Sequence, residues 1–177
     1  LSIIVCVMRI IRPQHPSYSF TIPKLLNSCP NMVRAGDKGD GGWWLCDAST
    51  TTTTTQKNNC VVYSFGIRDN FSFDHFMGDR GCQVHGFDPS PAGLASQQNY
   101  EKHANAHYHS YGLGSVDKTY GPNQVPFRWP GLGYLAEGNT LPWELKRLPT
   151  IMAENQNTAL TVLKVDVEGA EWDVMKD

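Results

Sequence analysis

Three short stretches of this chain are apolar almost throughout and stop abruptly on glycine or acid: Cys60-Val-Val-Tyr-Ser-Phe-Gly66, Gln83-Val-His-Gly-Phe-Asp88 and Val162-Leu-Lys-Val-Asp166. Runs of this length, rich in β-branched and aromatic residues, predict strands buried on both faces. Between the first two, Phe71-Ser-Phe-Asp-His-Phe-Met77 has helical character. Arg68, Asp69 and Asn70 stand before it as starters, and Gly78 and Gly81 stand after it as terminators. Beyond the second run, residues 92–107 predict a helix rich in Gln, Asn and His, and residues 107–115 a third strand with its exit loop. Residues 141–154 have helix-like spacing interrupted at Pro149, before Asn155-Gln-Asn157 turns into the last strand.

The N-terminal part is less regular. Residues 1–11 are apolar but broken by Arg9, and they fall short of the ~20 residues a spanning helix needs. Arg12-Pro13 and Pro16 end the run. Two readings stand: the remnant of a signal or signal-anchor segment, placing the domain in the secretory pathway, or a first strand or helix packed on the domain. The first slightly favours a secretory or membrane-anchored location over the cytoplasm. Residues 1–31 therefore form an N-terminal segment, and residues 32–177 the domain. Glycines 36, 39, 41 and 42 followed by Trp43-Trp-Leu-Cys46 predict a hairpin covering one edge of the sheet. The competing reading makes Asp40 and these glycines a loop that closes over a ligand. The run from Ser49 through Thr55 predicts a polar loop without chemistry. Residues 121–139, rich in Pro, Gly and aromatics, are either a substrate lid or a packed surface loop.

Composition narrows the function. The chain has 177 residues, 40% hydrophobic and 11% aromatic, enough for one real core. A net charge of -2 and a pI near 6.3 argue against a nucleic-acid partner. The five cysteines include no Cys-x-x-Cys pair and no zinc-like spacing. Cys29 with Cys46, or Cys60 with Cys82, are open pairings that the sequence does not choose between. His103, His107 and His109 lack a spaced carboxylate to complete a ligand set, so no metal is expected.

The chemistry concentrates at strand ends. Strand, glycine turn and helix around Gly66 is the geometry that offers backbone N–H groups to a nucleotide-like ligand. A full Gly-x-Gly-x-x-Gly is absent, which disfavours a pyrophosphate-binding dinucleotide fold. Asp88 lies about twenty residues beyond Gly66 at the next strand tip, where an acid accepts hydrogen bonds from ribose hydroxyls. The last run ends in Asp166, Glu168 and Glu171 with Gly169 between them. In an open α/β sheet the carboxyl ends of the strands bind ligands. The plainer reading is that Glu168 and Glu171 only occupy the first turn of a helix, where acids suit the macrodipole.

Taken together, Val-Val-Tyr-Ser-Phe-Gly-Ile at 61–67, Phe-Ser-Phe-Asp at 71–74, Val-His-Gly-Phe-Asp-Pro at 84–89 and Leu-Lys-Val-Asp-Val-Glu-Gly-Ala-Glu-Trp at 163–172 resemble the FkbM-related class I S-adenosylmethionine-dependent methyltransferases. Arg34-Ala-Gly-Asp-Lys-Gly-Asp-Gly-Gly-Trp43 resembles the segment before the first core strand in the branch that contains methyltransferase-like protein 24. The similarity runs from about Val33 to the C-terminus, and the last motif is its most specific part. It implies a Rossmann-like sheet with helices on both faces, truncated after the fourth core strand, with an apolar strand edge left exposed.

The resemblance also implies S-adenosylmethionine as cofactor and an oxygen of a small molecule or glycan as acceptor. Ser64, Phe65 and Gly66 would surround the methionine part of the cofactor, Asp88 its ribose, and Gly114 to Asp117 its adenine. Asp166 would lie beside the transferred methyl group and Glu168 near the acceptor, with Glu168 ahead of Asp166 as general base. The protein's main task in such a displacement is to position the reactants. The first motif departs from the common pattern, with Ser64 where many members have an acid and no second glycine. Asp69 or Asp74 would have to replace that carboxylate. Two alternatives follow: a catalytically idle domain kept for binding or scaffolding, or a sugar-nucleotide transferase using Asp166 and Glu168 with a divalent metal. Membrane contact is expected only through an N-terminal anchor, and the oligomeric state is open.

Overall fold

The apolar runs become the strands of one parallel sheet. In the computed structural model, which describes residues 5–8, 31–39, 41–46, 60–122, 124, 142–167 and 171–174, this sheet is built from β1 (Val5–Met8), β4 (Val61–Phe65), β5 (Gln83–Phe87), β6 (Ala106–His109) and β10 (Val162–Val165). Their order is β1-β10-β4-β5-β6, and every neighbouring pair is parallel. A hairpin of β2 (Met32–Ala35) and β3 (Trp43–Cys46) and a small sheet of β7 (Gly112–Leu113), β8 (Lys118–Tyr120) and β9 (Trp143–Lys146) complete the strands. The helices are α1 (Ser72–Asp79), α2 (Pro91–Tyr100), α3 (Leu148–Glu154) and α4 (Glu171–Val174).

Because side chains alternate along a strand, each run feeds two core layers. Val62, Val84 and Val162 point to one face and meet Phe73 and Met77 of α1 together with Ala35, Trp43 and Leu45 of the hairpin. Tyr63, Phe65, Phe87 and Val165 point to the other face and meet Leu113, Leu160 and Ile151 of α3. Helices thus cover both faces. The helix ends follow from local chemistry. Asn70 Oδ1 accepts from the Ser72 N–H at 3.1 Å and turns the chain into α1. Gly81, at φ +86, lets the chain leave it. The Ser90 hydroxyl caps α2 by accepting from the Gly93 N–H at 3.1 Å, with Pro91 in the first turn.

Several expectations change. The hairpin does not cover a sheet edge; it lies on a sheet face beside α1, because Trp43 and Leu45 need an apolar layer to bury against. The helix expected over residues 92–107 stops at Tyr100, since Ala106 and Tyr108 are buried in the period-two alternation of β6. Residues 141–154 are not one interrupted helix. Trp143 and Leu145 alternate inward with Glu144 outward in β9, and Pro149 sits in the first turn of α3, where its missing N–H costs nothing. The outer edge of β10, expected to be exposed, pairs with β1 from Val5↔Val162 to Met8↔Val165. Residues 49–55 and most of 121–139 lie outside the described residues.

Cys60 and Cys82 form a disulfide that ties together the starts of β4 and β5. Closing a loop with a sequence separation of 22 stabilises the fold by about 3 kcal/mol in the chain-entropy picture. Cys46 is disulfide-bonded as well. Among the described residues no helix is long and apolar enough to cross a membrane.

Candidate functional site

The tips of β10, β4 and β5 are laced together at their carboxyl ends. The Gly66 N–H donates to the Phe87 carbonyl at 3.0 Å, and the Asp166 N–H donates to the Phe65 carbonyl at 3.1 Å. Gly66 has φ +74, and a Cβ placed on it would lie 1.8 Å from the Asp166 carbonyl oxygen. Only glycine satisfies both demands: a left-handed backbone and direct backbone contact with the neighbouring strand tip.

Asp88 fastens this turn from the side. Its Oδ2 accepts from the Arg68 N–H at 2.7 Å and its Oδ1 from the Ser90 N–H at 2.8 Å. Tyr108 donates its hydroxyl proton to the Asp88 carbonyl. Asp88 is 5% exposed. Arg68 sits at φ +47, a strained conformation for a side-chain-bearing residue that the Asp88 contact helps hold. Two bonds do not exhaust a carboxylate, which has about four lone-pair positions.

The structure therefore brings Gly66, Asp88 and the backbone of Asp166 together. Ser64 and Phe65 take part through their backbone, because both side chains are fully buried. Ser64 faces the α1 layer, and Phe65 stacks on Phe87 with ring centroids 4.5 Å apart. Glu168 lies outside the described residues, as does Asp40. Glu171 is in α4 and buried. Of the two acids expected to replace the missing carboxylate, Asp69 is exposed at the surface beside Arg68, while Asp74 is wholly buried under the turn. Asp74 cannot meet a ligand from there. Burial pushes its pKa up, against the charge of Lys164 and hydrogen bonding from Ser64 and Tyr100. Tyr100 donates to Asp74 Oδ1 at 3.1 Å. Asp74 Oδ2 and the Ser64 hydroxyl make no hydrogen bond of good geometry, although Ser64 is close enough to favour the charged acid.

Lys164 belongs to the same buried group. It is 3% exposed and donates from Nζ to the Gly66 carbonyl at 3.4 Å. The signal for it lies in the sequence: a lysine inside an apolar parallel strand needs an acceptor on its own face.

The region from Gly114 to Asp117 serves the small sheet. Asp117 accepts from the Arg147 N–H at 2.7 Å, from its guanidinium at 3.0 and 2.9 Å and from Thr150 at 2.9 Å. The Arg147 N–H foremost holds its carboxyl below the usual range. The histidines divide. His103 bonds to Asp79 at 3.0 Å, whereas His85 Nδ1 and His109 Nε2 face each other at 2.9 Å on the α3 side of the sheet. Burial lowers both of these to about 4, so both imidazoles are neutral at physiological pH. Among the described residues no three His, Cys, Asp or Glu side chains are grouped to hold a metal ion.

A parallel sheet flanked by helices, with a glycine turn and two acid-bearing strand tips at its carboxyl edge, defines a Rossmann-like α/β fold. A methyltransferase-domain family model matches residues 23–177, and the chain belongs to that family. Probable methyltransferase-like protein 24 of Homo sapiens is 28% identical over 141 residues, which cover 76% of this chain and 33% of that protein. The chain thus spans about a third of the length of the curated relative it matches. No solved structure gives a significant match.

Proposed function

We propose that this domain belongs to an S-adenosylmethionine-dependent methyltransferase of FkbM-related type that methylates an oxygen of a small-molecule or glycan acceptor. The observation that carries the reading is the Gly66 turn, fastened by Asp88 and seated against the Asp166 backbone. The residues suit such a cofactor. A turn without a side chain allows close approach, and a buried acid on the second strand tip has lone pairs left for vicinal hydroxyls. Bound there, the cofactor would supply an electrophilic methyl group on a sulfonium. The chain's part is to hold the turn rigid, to orient ribose through Asp88, and to accept the acceptor's proton on Glu168 or Asp166. The Cys60–Cys82 disulfide supports a secretory location, since such bonds persist in oxidising compartments.

A catalytically idle binding or scaffold domain is the second reading. It is favoured by the first motif, where Ser64 stands in place of an acid and Asp74 is wholly buried, leaving only the exposed Asp69 to replace that carboxylate. Incubating the longest natural form with methyl-labelled S-adenosylmethionine and a panel of hydroxyl-bearing small molecules and glycans separates the two. Label on an acceptor, lost in Asp88→Ala, supports the enzyme. No transfer and no cofactor binding in a folded sample would leave the idle domain in front.

A further inference from the structure

Lys164 occupies the place in the sheet least suited to a charge. It lies within β10, between β1 and β4, 3% exposed, with its ammonium 5.8 Å from the Trp43 ring and 6.0 Å from the Phe73 ring. The acid that favours it is Asp74 of α1, buried completely and bonded by Tyr100. An ammonium placed in such a layer is costly to desolvate and adds little net stability. What it fixes is direction. The Lys164 ammonium donates to the carbonyl of Gly66, the residue at φ +74 in the turn. That carbonyl shares a planar peptide with the Ile67 N–H, and no peptide in the described chain is cis. The two groups of a trans peptide point in opposite directions. Holding the carbonyl toward the α1 layer therefore turns the Ile67 N–H away from it.

We propose that Lys164 is a positioning residue for the ligand-binding turn after β4. It sets the Gly66–Ile67 peptide plane before any ligand arrives. The inference rests on the cofactor reading above, and it assigns to Lys164 no contact with the cofactor. Tyr100 orients Asp74 in the same buried layer through its hydrogen bond to Oδ1.

The test uses the longest natural form and S-adenosylhomocysteine as probe. Lys164→Met removes the donor to the Gly66 carbonyl and is expected to lose at least tenfold in affinity. The Lys164→Met/Asp74→Asn double variant removes both charges. It should still melt cooperatively yet remain at least tenfold weaker in binding, a separation that a purely structural role would not produce. Wild-type affinity in the double variant would overturn the inference while leaving the cofactor reading intact. Absence of binding in folded wild-type protein would overturn the cofactor reading and the inference with it. A readout without substitution is the ammonium resonance of Lys164 in wild-type protein labelled with lysine-15N. It should be protected from exchange and shift on adding the probe; an unprotected, unshifted resonance would contradict the proposal.

Discussion

Two glycines provide a matched experiment on the strand-tip contact. Gly66 and Gly81 have nearly equal positive φ values, +74 and +86. Alanine at either position must adopt a left-handed backbone, at about 1 kcal/mol. The surroundings differ. A Cβ at Gly81 meets nothing within 4 Å, whereas a Cβ at Gly66 would lie 1.8 Å from the Asp166 carbonyl oxygen and 2.8 Å from its carbon. Those are backbone atoms of the neighbouring strand tip, so no rotamer change relieves the overlap. Forcing the tips of β4 and β10 apart adds about 2 kcal/mol or more, the scale of overpacking a core. Gly81→Ala should therefore cost about 1 kcal/mol and Gly66→Ala about 3 kcal/mol. In a domain of this size that is roughly 3 °C against 10 °C in melting temperature. Calorimetric melting of the longest natural form measures the difference, and hydrogen exchange in the peptide spanning residues 162–167 locates it. Equal losses from the two substitutions, with unchanged exchange at β10, would refute the claim that the two strand tips touch at Gly66.

Three further outcomes follow from the geometry. Reducing the Cys60–Cys82 disulfide, or replacing both cysteines by serine, should lower stability by about 3 kcal/mol in denaturant titrations. Asp88→Ala removes the acceptor for the Arg68 and Ser90 N–H groups and should cost about 3 kcal/mol, while Asp88→Asn keeps one carbonyl acceptor and should cost about half of that. Acid should destabilise the fold through His85 and His109, whose values fall from 6.5 to about 4. The unfolded chain takes up these protons near pH 6.5 and the native state only near pH 4. Stability is therefore full above pH 6.5 and is lost as pH falls toward 4, by at most about 3 kcal/mol for each imidazole. Asp74, with its raised value, works in the opposite direction and offsets part of the loss. Unfolding free energies that stay level across this pH range would contradict the buried neutral pair.

The core of the fold was legible because its signals are local. The runs at 61–65, 83–87 and 162–165 are dense enough to be strands in any context, and Gly66 and Asp88 stand at their ends. What escaped depends on partners distant in sequence. That Val5–Met8 pairs with Val162–Val165 follows from no local pattern. Trp143–Lys146 has the same apolar content as a helical turn, and only the contacts of Leu145 in the small sheet decide for a strand. The sequence places Asp74 in a helix and Lys164 in a strand; that they share one buried layer depends on how α1 lies on the sheet. For the same reason Asp74 reads as a site acid in the sequence and is wholly buried in the structure. Ser64 and Phe65 precede the Gly66 turn, but strand alternation sends their side chains into the two core layers.

In the proposed function, the Gly66 turn and Asp88 together bind an adenosyl cofactor. Isothermal titration of S-adenosylhomocysteine into the longest natural form, beside Asp88→Ala and a Gly81→Ala control, tests it most directly. The account requires saturable one-to-one binding in the wild-type and control proteins and its loss in a folded Asp88→Ala protein. Binding that survives Asp88→Ala unchanged, or is absent from folded wild-type protein, would contradict it.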